Sequence, residues 1–385
     1  MSEQPKTQRP VILIADNSTA VTGALMAMRN ATDRLRHRYE FVYVLPTGSR
    51  GAEVLEAAGY RVHELPFVEI SKRVRNLLLY IPMLLVNGWR LASLVRREKA
   101  VAVHMNDFYN LTGVVARLLT GRPLVTHVRF LPHTQMQPLA RTWRWVAEHL
   151  AQRVVCVSQA VYSYFRPLPH VQVIADPIPE QEKYAPTNLE PRPDGTIRVL
   201  YLSNYIPGKG QNFAVEAFRQ AYATDQRLRM HFAGGDMGLE KNREYRRQLE
   251  AATATAGLTD VVTFGGFVQD VEAAIKEADI VLNFSESESF SLTCLDALFF
   301  GTPLVASDCG GPAELFENGL SGLLVPNRDV PAMAAALQRL AADAALRQQF
   351  AAAGRAFVRR KFSADATYER LGMLYDELLT KPSVA

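Results

Sequence analysis

The 385-residue chain has little cysteine and no long apolar run, and each shortage closes a class of function. Its three cysteines, Cys156, Cys294 and Cys309, are an odd number without C-x-x-C spacing, which excludes a disulfide framework and a zinc ribbon. They read as small buried apolar residues in a reducing compartment. No apolar run approaches the roughly 20 residues that span a bilayer. The polar opening MSEQPKTQRP runs straight into VILIAD, so no secretory leader and a cytoplasmic location are expected. No D-x-D pair stands ready to hold a metal ion. The net charge is only +4, and no nucleic-acid partner is expected. That charge is unevenly placed, since residues 1–176 carry 22 Lys and Arg against 12 Asp and Glu. The first half therefore suits something anionic, the inner face of a membrane included.

Short β-branched, apolar runs are plentiful, and all but PLVTHV end in Gly, Asp, Asn, Ser or Pro before a helical pattern. The first half offers VILIAD, FVYVLP, RVHELP, VAVHMN, PLVTHV, RVVCVS and VQVIAD; the second offers IRVLYLS, MHFAGG, VVTFGG, IVLNFS, PLVASD and GLLVP. Strands apolar on both faces that alternate with helices predict parallel sheets under helical cover. Two such series predict an α/β chain of two doubly wound, Rossmann-like domains facing a central cleft. Residues 177–196 hold five prolines and no apolar periodicity, the composition of an exposed connector. The expected domains are thus 1–176 and 197–385. The second ends in helices that pack back, the last presenting Tyr368, Leu371, Tyr375 and Leu378 on one face.

Open parallel sheets bind ligands beyond the carboxyl ends of their strands, so polar residues just after strands are the candidates. After IVLNFS, a helix predicted to begin near Ser291 and Leu292 would point free N–H groups at an anion. Acids beside an anion site suit hydroxyls rather than phosphate, so Glu288 fits a hexose and Asp296 a ribose diol. After IRVLYLS, Lys209 stands between Gly208 and Gly210 as a mobile cation for a diphosphate. The full P-loop pattern is absent. In the first half, Gly23 can bring backbone close to a ligand. His127 and Arg129 follow the run PLVT, and His104, Asn106 and Asp107 follow another, reading as turn and acceptor-side residues. Plainer readings exist: a helix cap for the two acids, a solvated turn lysine, a core histidine. Residues 72–99 combine an apolar run with seven Lys or Arg and one acid, which fits a membrane interface or a buried helix with snorkelling ends.

ESFSLTCLD resembles the E-x7-E signature of the retaining glycosyltransferases of family 4, and GTPLVASDCGGPAEL resembles the strand and Gly-Gly turn that follow it there. LSNYIPGKG, HFAGGD, VTFGGFVQD and CVSQAV resemble further segments of that family in the same order. The resemblance implies the GT-B fold and transfer of a sugar from a nucleoside diphosphate donor to a saccharide or lipid-linked acceptor, with no cofactor and no obligatory metal. It implies that Glu288 and His127 contact the donor sugar, Lys209 the diphosphate and residue 296 the ribose. Two departures stand out. The second acid is Asp296 rather than glutamate, and Asn204 replaces the arginine that usually partners the lysine, a charge that Arg129 could supply. A sugar-nucleotide 2-epimerase, or a non-catalytic nucleotide-sugar-binding subunit, fits the same residues.

Overall fold

The computed structural model describes residues 9–67, 74–179 and 184–380. The chain divides into two compact units, one formed by Met1–Ala175 with Asp365–Ala385, the other by Asp176–Ala364. The first runs β1 (Val11–Ala15), α1 (Gly23–Leu35), β2 (Glu40–Pro46), α2 (Arg50–Ala57), β3 (Arg61–Leu65), α3 (Val74–Arg97), β4 (Ala102–Met105), α4 (Thr112–Thr120), β5 (Leu124–Val128), α5 (Gln137–Leu150), β6 (Arg153–Cys156), α6 (Gln159–Tyr162) and β7 (Val171–Val173). The second runs β8 (Ile197–Leu202), α7 (Gln211–Tyr222), β9 (Leu228–Ala233), α8 (Glu240–Thr255), β10 (Val262–Phe264), α9 (Val271–Lys276), β11 (Ile280–Asn283), α10 (Leu292–Phe300), β12 (Leu304–Ser307), β13 (Leu323–Val325), α11 (Val330–Ala342) and α12 (Ala344–Lys361). The final helix is α13 (Ala364–Thr380).

Both sheets are parallel, ordered β3-β2-β1-β4-β5-β6-β7 and β10-β9-β8-β11-β12-β13. Each of the 13 apolar runs forms a strand, because burial on both faces demands side chains that tolerate it on both. In the first sheet Ile12, Ile14, Phe41, Tyr43 and Val125 turn toward α1, α2 and α13, while Leu13, Val42, Val44 and Val103 turn toward the face where Leu91 and Val95 of α3 pack. The winding reverses between β1 and β4 and again between β8 and β11. Such switch points leave a crevice beyond the strand ends where no crossing helix fills the space.

Two expectations need correction. The stretch expected to be an exposed connector is packed onto the second unit: Ile178 is buried and donates its N–H to the Phe362 carbonyl, and Thr187 donates to the Phe300 carbonyl. Apolar Ile178 and Leu189 sit among its prolines and draw it inward. The terminal helices also divide. Leu371, Leu374, Tyr375 and Leu378 of α13 enter the core of the first unit, so the apolar face seen in the sequence serves that sheet. Polar contacts on its rim add to this, with Tyr39 Oη donating to the Gly372 carbonyl at 3.0 Å and Arg153 paired with Glu377 at 2.6 Å.

Of the basic apolar segment 72–99, residues 72 and 73 lie outside the described residues, α3 carries residues 74–97, and Glu98 and Lys99 form the turn that follows it. Its Asn87, Leu91, Ala92 and Val95 are buried, yet Ile81, Leu85 and Trp89 are 58%, 57% and 61% exposed. Among the described residues no helix is long and apolar enough to cross a membrane.

Candidate functional site

The loops after β8 and β11 meet at the switch point of the second sheet. Tyr201, near the end of β8, stitches them together: its hydroxyl donates to the Lys209 carbonyl at 2.5 Å and accepts from the Phe284 N–H at 2.8 Å. Gly210, with φ of +78°, lies so close to the β11 loop that a Cβ there would stand 1.9 Å from the Phe284 carbonyl oxygen. Only glycine allows both the left-handed backbone and that approach. Lys209 is thereby held over the β11 loop.

There Lys209 Nζ meets Glu288 Oε1 at 2.7 Å, and the same oxygen accepts from Ser285 Oγ at 2.9 Å. Both side chains are partly buried. Burial works against the Lys209 ammonium, but the charge and hydrogen bond of Glu288 outweigh it and raise the pKa above its usual value. The cation stays charged throughout the neutral range. Glu288 is fixed from behind through its backbone, which accepts from the Gly311 N–H at 2.8 Å. A Cβ at Gly311 would strike the Ser289 carbonyl, which accounts for the Gly-Gly turn after β12.

Helix α10 begins at Leu292, with Ser291 as its cap. Ser291 has φ of +80°, a costly conformation for a residue with a Cβ. Its hydroxyl accepts from both Asn283 Nδ2 at 3.0 Å and the Cys294 N–H at 3.3 Å, and these two bonds hold it there. Strain of this kind gathers where a loop must be aimed. Cys294, like Cys156 and Cys309, is free and buried, as the sequence suggested.

Asp296 lies one turn along α10 and lines a cavity of about 530 Å³ with Tyr184, Gln269, Asp270, Glu272 and Phe300. Neither Lys209 nor Glu288 lines it. Burial of the Asp296 carboxyl pushes its pKa up to about 7. The structure thus pairs Lys209 with Glu288 and places Asp296 at a hollow that neither of them lines. Asn204 accepts from the Gly235 N–H at 2.9 Å through its side-chain oxygen, so this amide ties the β8 loop to the glycine turn after β9. A Cβ at Gly234 would stand 2.0 Å from the Ser203 carbonyl oxygen, which shows how close those loops run.

In the first unit, Gly23 opens α1 behind Thr22, whose hydroxyl accepts from the Leu25 N–H at 3.2 Å. His127 and His104 lie within β5 and β4 rather than after them. Parallel register extends each strand one or two residues beyond where polar side chains suggested an end. Asn106 bridges neighbours: it donates to Asp16 Oδ2 at 2.6 Å and accepts from Arg129 Nε at 2.6 Å. His127 is only 3% exposed, and its Nε2 has no hydrogen-bond partner among the described residues. Burial, Arg129 and His104 lower its pKa well below the usual histidine value. Asp107, buried near Asp16, is pushed up to about 7. Sequence reasoning missed Ser285 and Tyr201, whose only signal was position beside the strand ends, and Tyr375 as a partner of His104, for which a separation of 271 positions left none.

Comparison with known proteins places two family models on the chain: "Glycosyl transferase 4-like domain" over residues 22–174 and "Glycosyl transferases group 1" over residues 188–357. An alpha-D-kanosaminyltransferase of Streptomyces kanamyceticus is 29% identical over 182 residues, 47% of this chain and 45% of that protein. The amylovoran biosynthesis glycosyltransferase AmsK of Erwinia amylovora is 29% identical over 191 residues, again 47% and 45%. The matched stretch spans under half the length of these curated relatives. Among solved structures, Anabaena Alr3699/HepE in complex with UDP and glucose superimposes with a TM-score of 0.79 at 21% identity, covering 96% of this chain and all of that one. The fold is that of the GT-B glycosyltransferases.

Proposed function

We propose that this chain, which belongs to the glycosyltransferases through its 4-like and group 1 domains, moves a sugar from a nucleoside diphosphate to a saccharide or lipid-linked saccharide with retention of anomeric configuration and without a metal ion. The observation that carries the reading is the Lys209–Glu288 pair at the switch point of the second sheet. A lone structural pair needs no such placement. A diphosphate seated at the start of α10 would take Lys209 as its counter-charge, freeing Glu288 to accept from a sugar hydroxyl. Asp296, at the edge of its hollow, is suited to the ribose. A neutral His127 offers an N–H to a sugar oxygen.

In the proposed reaction the bond between the anomeric carbon and the diphosphate oxygen breaks, and the acceptor oxygen bonds to that carbon on the same face. The acceptor's proton passes to the departing phosphate. Lys209 and backbone N–H groups stabilise the charge that grows on the diphosphate, an electrostatic contribution worth about 2 to 4 kcal/mol per well-placed donor. Asn204, bound to the Gly235 N–H, supplies no charge, so Lys209 carries more of that burden than an arginine–lysine pair would require.

The test begins by heating the protein with UDP, GDP and dTDP, since a ligand that binds the native state raises the melting temperature. The stabilising nucleotide is then supplied as its sugar conjugate with oligosaccharide or lipid-linked acceptors, and the linkage of the product is read by NMR. A new α-linked product from an α-linked donor is expected. An epimerised nucleotide sugar formed without acceptor would favour the epimerase, and nucleotide binding with no transfer would favour the binding subunit.

The exposed stripe Ile81, Leu85 and Trp89 recurs every fourth residue of α3, so it forms one face of the helix, and Arg90, Arg96 and Arg97 follow toward its end. This supports contact with an anionic lipid surface, where a lipid-linked acceptor would be presented. Binding to vesicles containing phosphatidylglycerol, weakened by salt and by Trp89→Glu, is expected; equal binding to neutral vesicles would contradict the charge component.

A further inference from the structure

The first unit contains a buried chain of three side chains that sequence gives no reason to associate. Tyr375 of α13, His104 of β4 and His127 of β5 lie in line: Tyr375 Oη is 2.7 Å from His104 Nδ1, and His104 Nε2 is 3.3 Å from His127 Nδ1. The register places both histidines on one face. His104 pairs with Val125, and His127 lies two residues further along β5, on the same side as Val125. That is the face α13 covers, so the tyrosine arrives from the far end of the chain.

Each histidine is buried, and burial with the nearby Arg129 charge drives both toward the neutral form; the His104 value falls to about 3. A neutral imidazole has one N–H and one bare nitrogen, so each ring must choose. Tyr375 Oη has no other hydrogen-bond partner among the described residues. If it accepted from His104, its own proton would be stranded in the core, at a cost of about 1–3 kcal/mol. Donating to His104 Nδ1 avoids that cost. His104 Nε2 then carries the hydrogen and donates to His127 Nδ1. The hydrogen of His127 is left on Nε2, the atom without a hydrogen-bond partner among the described residues.

We propose that Tyr375 and His104 are positioning residues that fix His127 as its Nε2–H tautomer, so that it presents a hydrogen-bond donor to a sugar oxygen. This rests on the reading of His127 as a sugar-contacting residue, but the tautomer can be tested without any substrate. An unordered pair of neutral imidazoles would present a donor part of the time and a bare nitrogen the rest.

The experiment is NMR of protein labelled with nitrogen-15 at histidine, comparing the parent with Tyr375→Phe and Tyr39→Phe. Tyr39→Phe is the control, because it removes another hydroxyl that anchors α13 and touches neither histidine by hydrogen bond. The parent should show His127 protonated at Nε2, Tyr375→Phe should shift it toward the Nδ1–H form, and Tyr39→Phe should leave it unchanged. With the nucleotide sugar that stabilises the parent, Tyr375→Phe should lower kcat about tenfold, the equivalent of one hydrogen bond, with KM for that donor nearly constant. A parent His127 protonated at Nδ1, a Tyr375→Phe spectrum like the parent's, or an equal shift in Tyr39→Phe would overturn the relay. If the parent transfers no sugar, the functional reading fails by itself, and the spectra still decide the relay.

Discussion

Lys209 and Glu288 hold one another, and that mutual hold gives their substitutions opposite effects on nucleotide binding. Lys209→Ala removes the counter-charge and should lower transfer by about 2 to 4 kcal/mol in the transition state while weakening nucleoside diphosphate binding. Glu288→Gln keeps the shape but releases the ammonium from a partly exposed ion pair worth up to about 1 kcal/mol. Calorimetry should therefore show a free nucleoside diphosphate binding roughly fivefold tighter to Glu288→Gln, even as transfer collapses. Weaker binding in both variants would mean that the pair is merely structural. Asp107 supports a prediction about stability. Its carboxyl is raised to about 7, burial first and Asp16 second, against hydrogen bonds from Tyr109 and Phe108 that lower it. The native state then holds a proton that the unfolded chain releases near pH 4. Stability from this group is present at acid pH and lost as pH rises toward 7. Asp107→Asn should remove that loss, so its melting temperature should exceed the parent's by more at pH 8 than at pH 5, by on the order of 1 kcal/mol in stability. An equal difference at both pH values would show that the carboxyl titrates normally.

At the scale of elements, the turn between β8 and α7 decides where Lys209 stands. Gly210→Ala would place a methyl 1.9 Å from the Phe284 carbonyl oxygen at a φ of +78°. The β8 and β11 loops would have to part, moving Lys209 from Glu288. Denaturant unfolding should show a loss of roughly 2 kcal/mol or more, since both overpacking and left-handed strain apply. Gly208→Ala, equally left-handed but facing open space, should cost only the conformational part, roughly 1 kcal/mol. Equal losses would show that contact with Phe284 is unimportant. The elements themselves were legible, because β-branched runs bounded by glycine and aspartate leave little choice between strand and helix over four to seven residues. The start of α10 at Ser291 was legible for the same reason, through the cap. The pairing of Lys209 with Glu288 required the topology, which places sequence neighbours of β8 and β11 side by side. The polar ends of β4 and β5 misled, since His104 and His127 occupy strand positions that composition assigns to apolar residues, and only partners from α13 and the adjoining strand make them tolerable there.

For the molecule as a whole, the sequence showed two sheets but not which of them the last helix serves. An amphipathic helix states that it has an apolar face, not where that face is buried. Here α13 returns to the first unit, whose core takes Leu371, Leu374, Tyr375 and Leu378. Four such side chains contribute roughly 6 to 12 kcal/mol of burial, the size of a domain's entire stability. Removing residues 365–385 should therefore unfold the first unit while sparing the second, whose core is drawn from its own strands and helices. The loss is polar as well as apolar, because His104 would be left buried without its hydroxyl partner and Tyr39 without Gly372. Scanning calorimetry of the truncated chain should retain one cooperative transition with about half of the parent's enthalpy, in proportion to the residues still folded. The nucleoside diphosphate that stabilises the parent should still raise that transition, since Lys209, Glu288 and Asp296 all belong to the second unit. Retention of the full enthalpy would show that the first sheet is stable without α13, whereas loss of all cooperative melting would show that the second unit depends on the first.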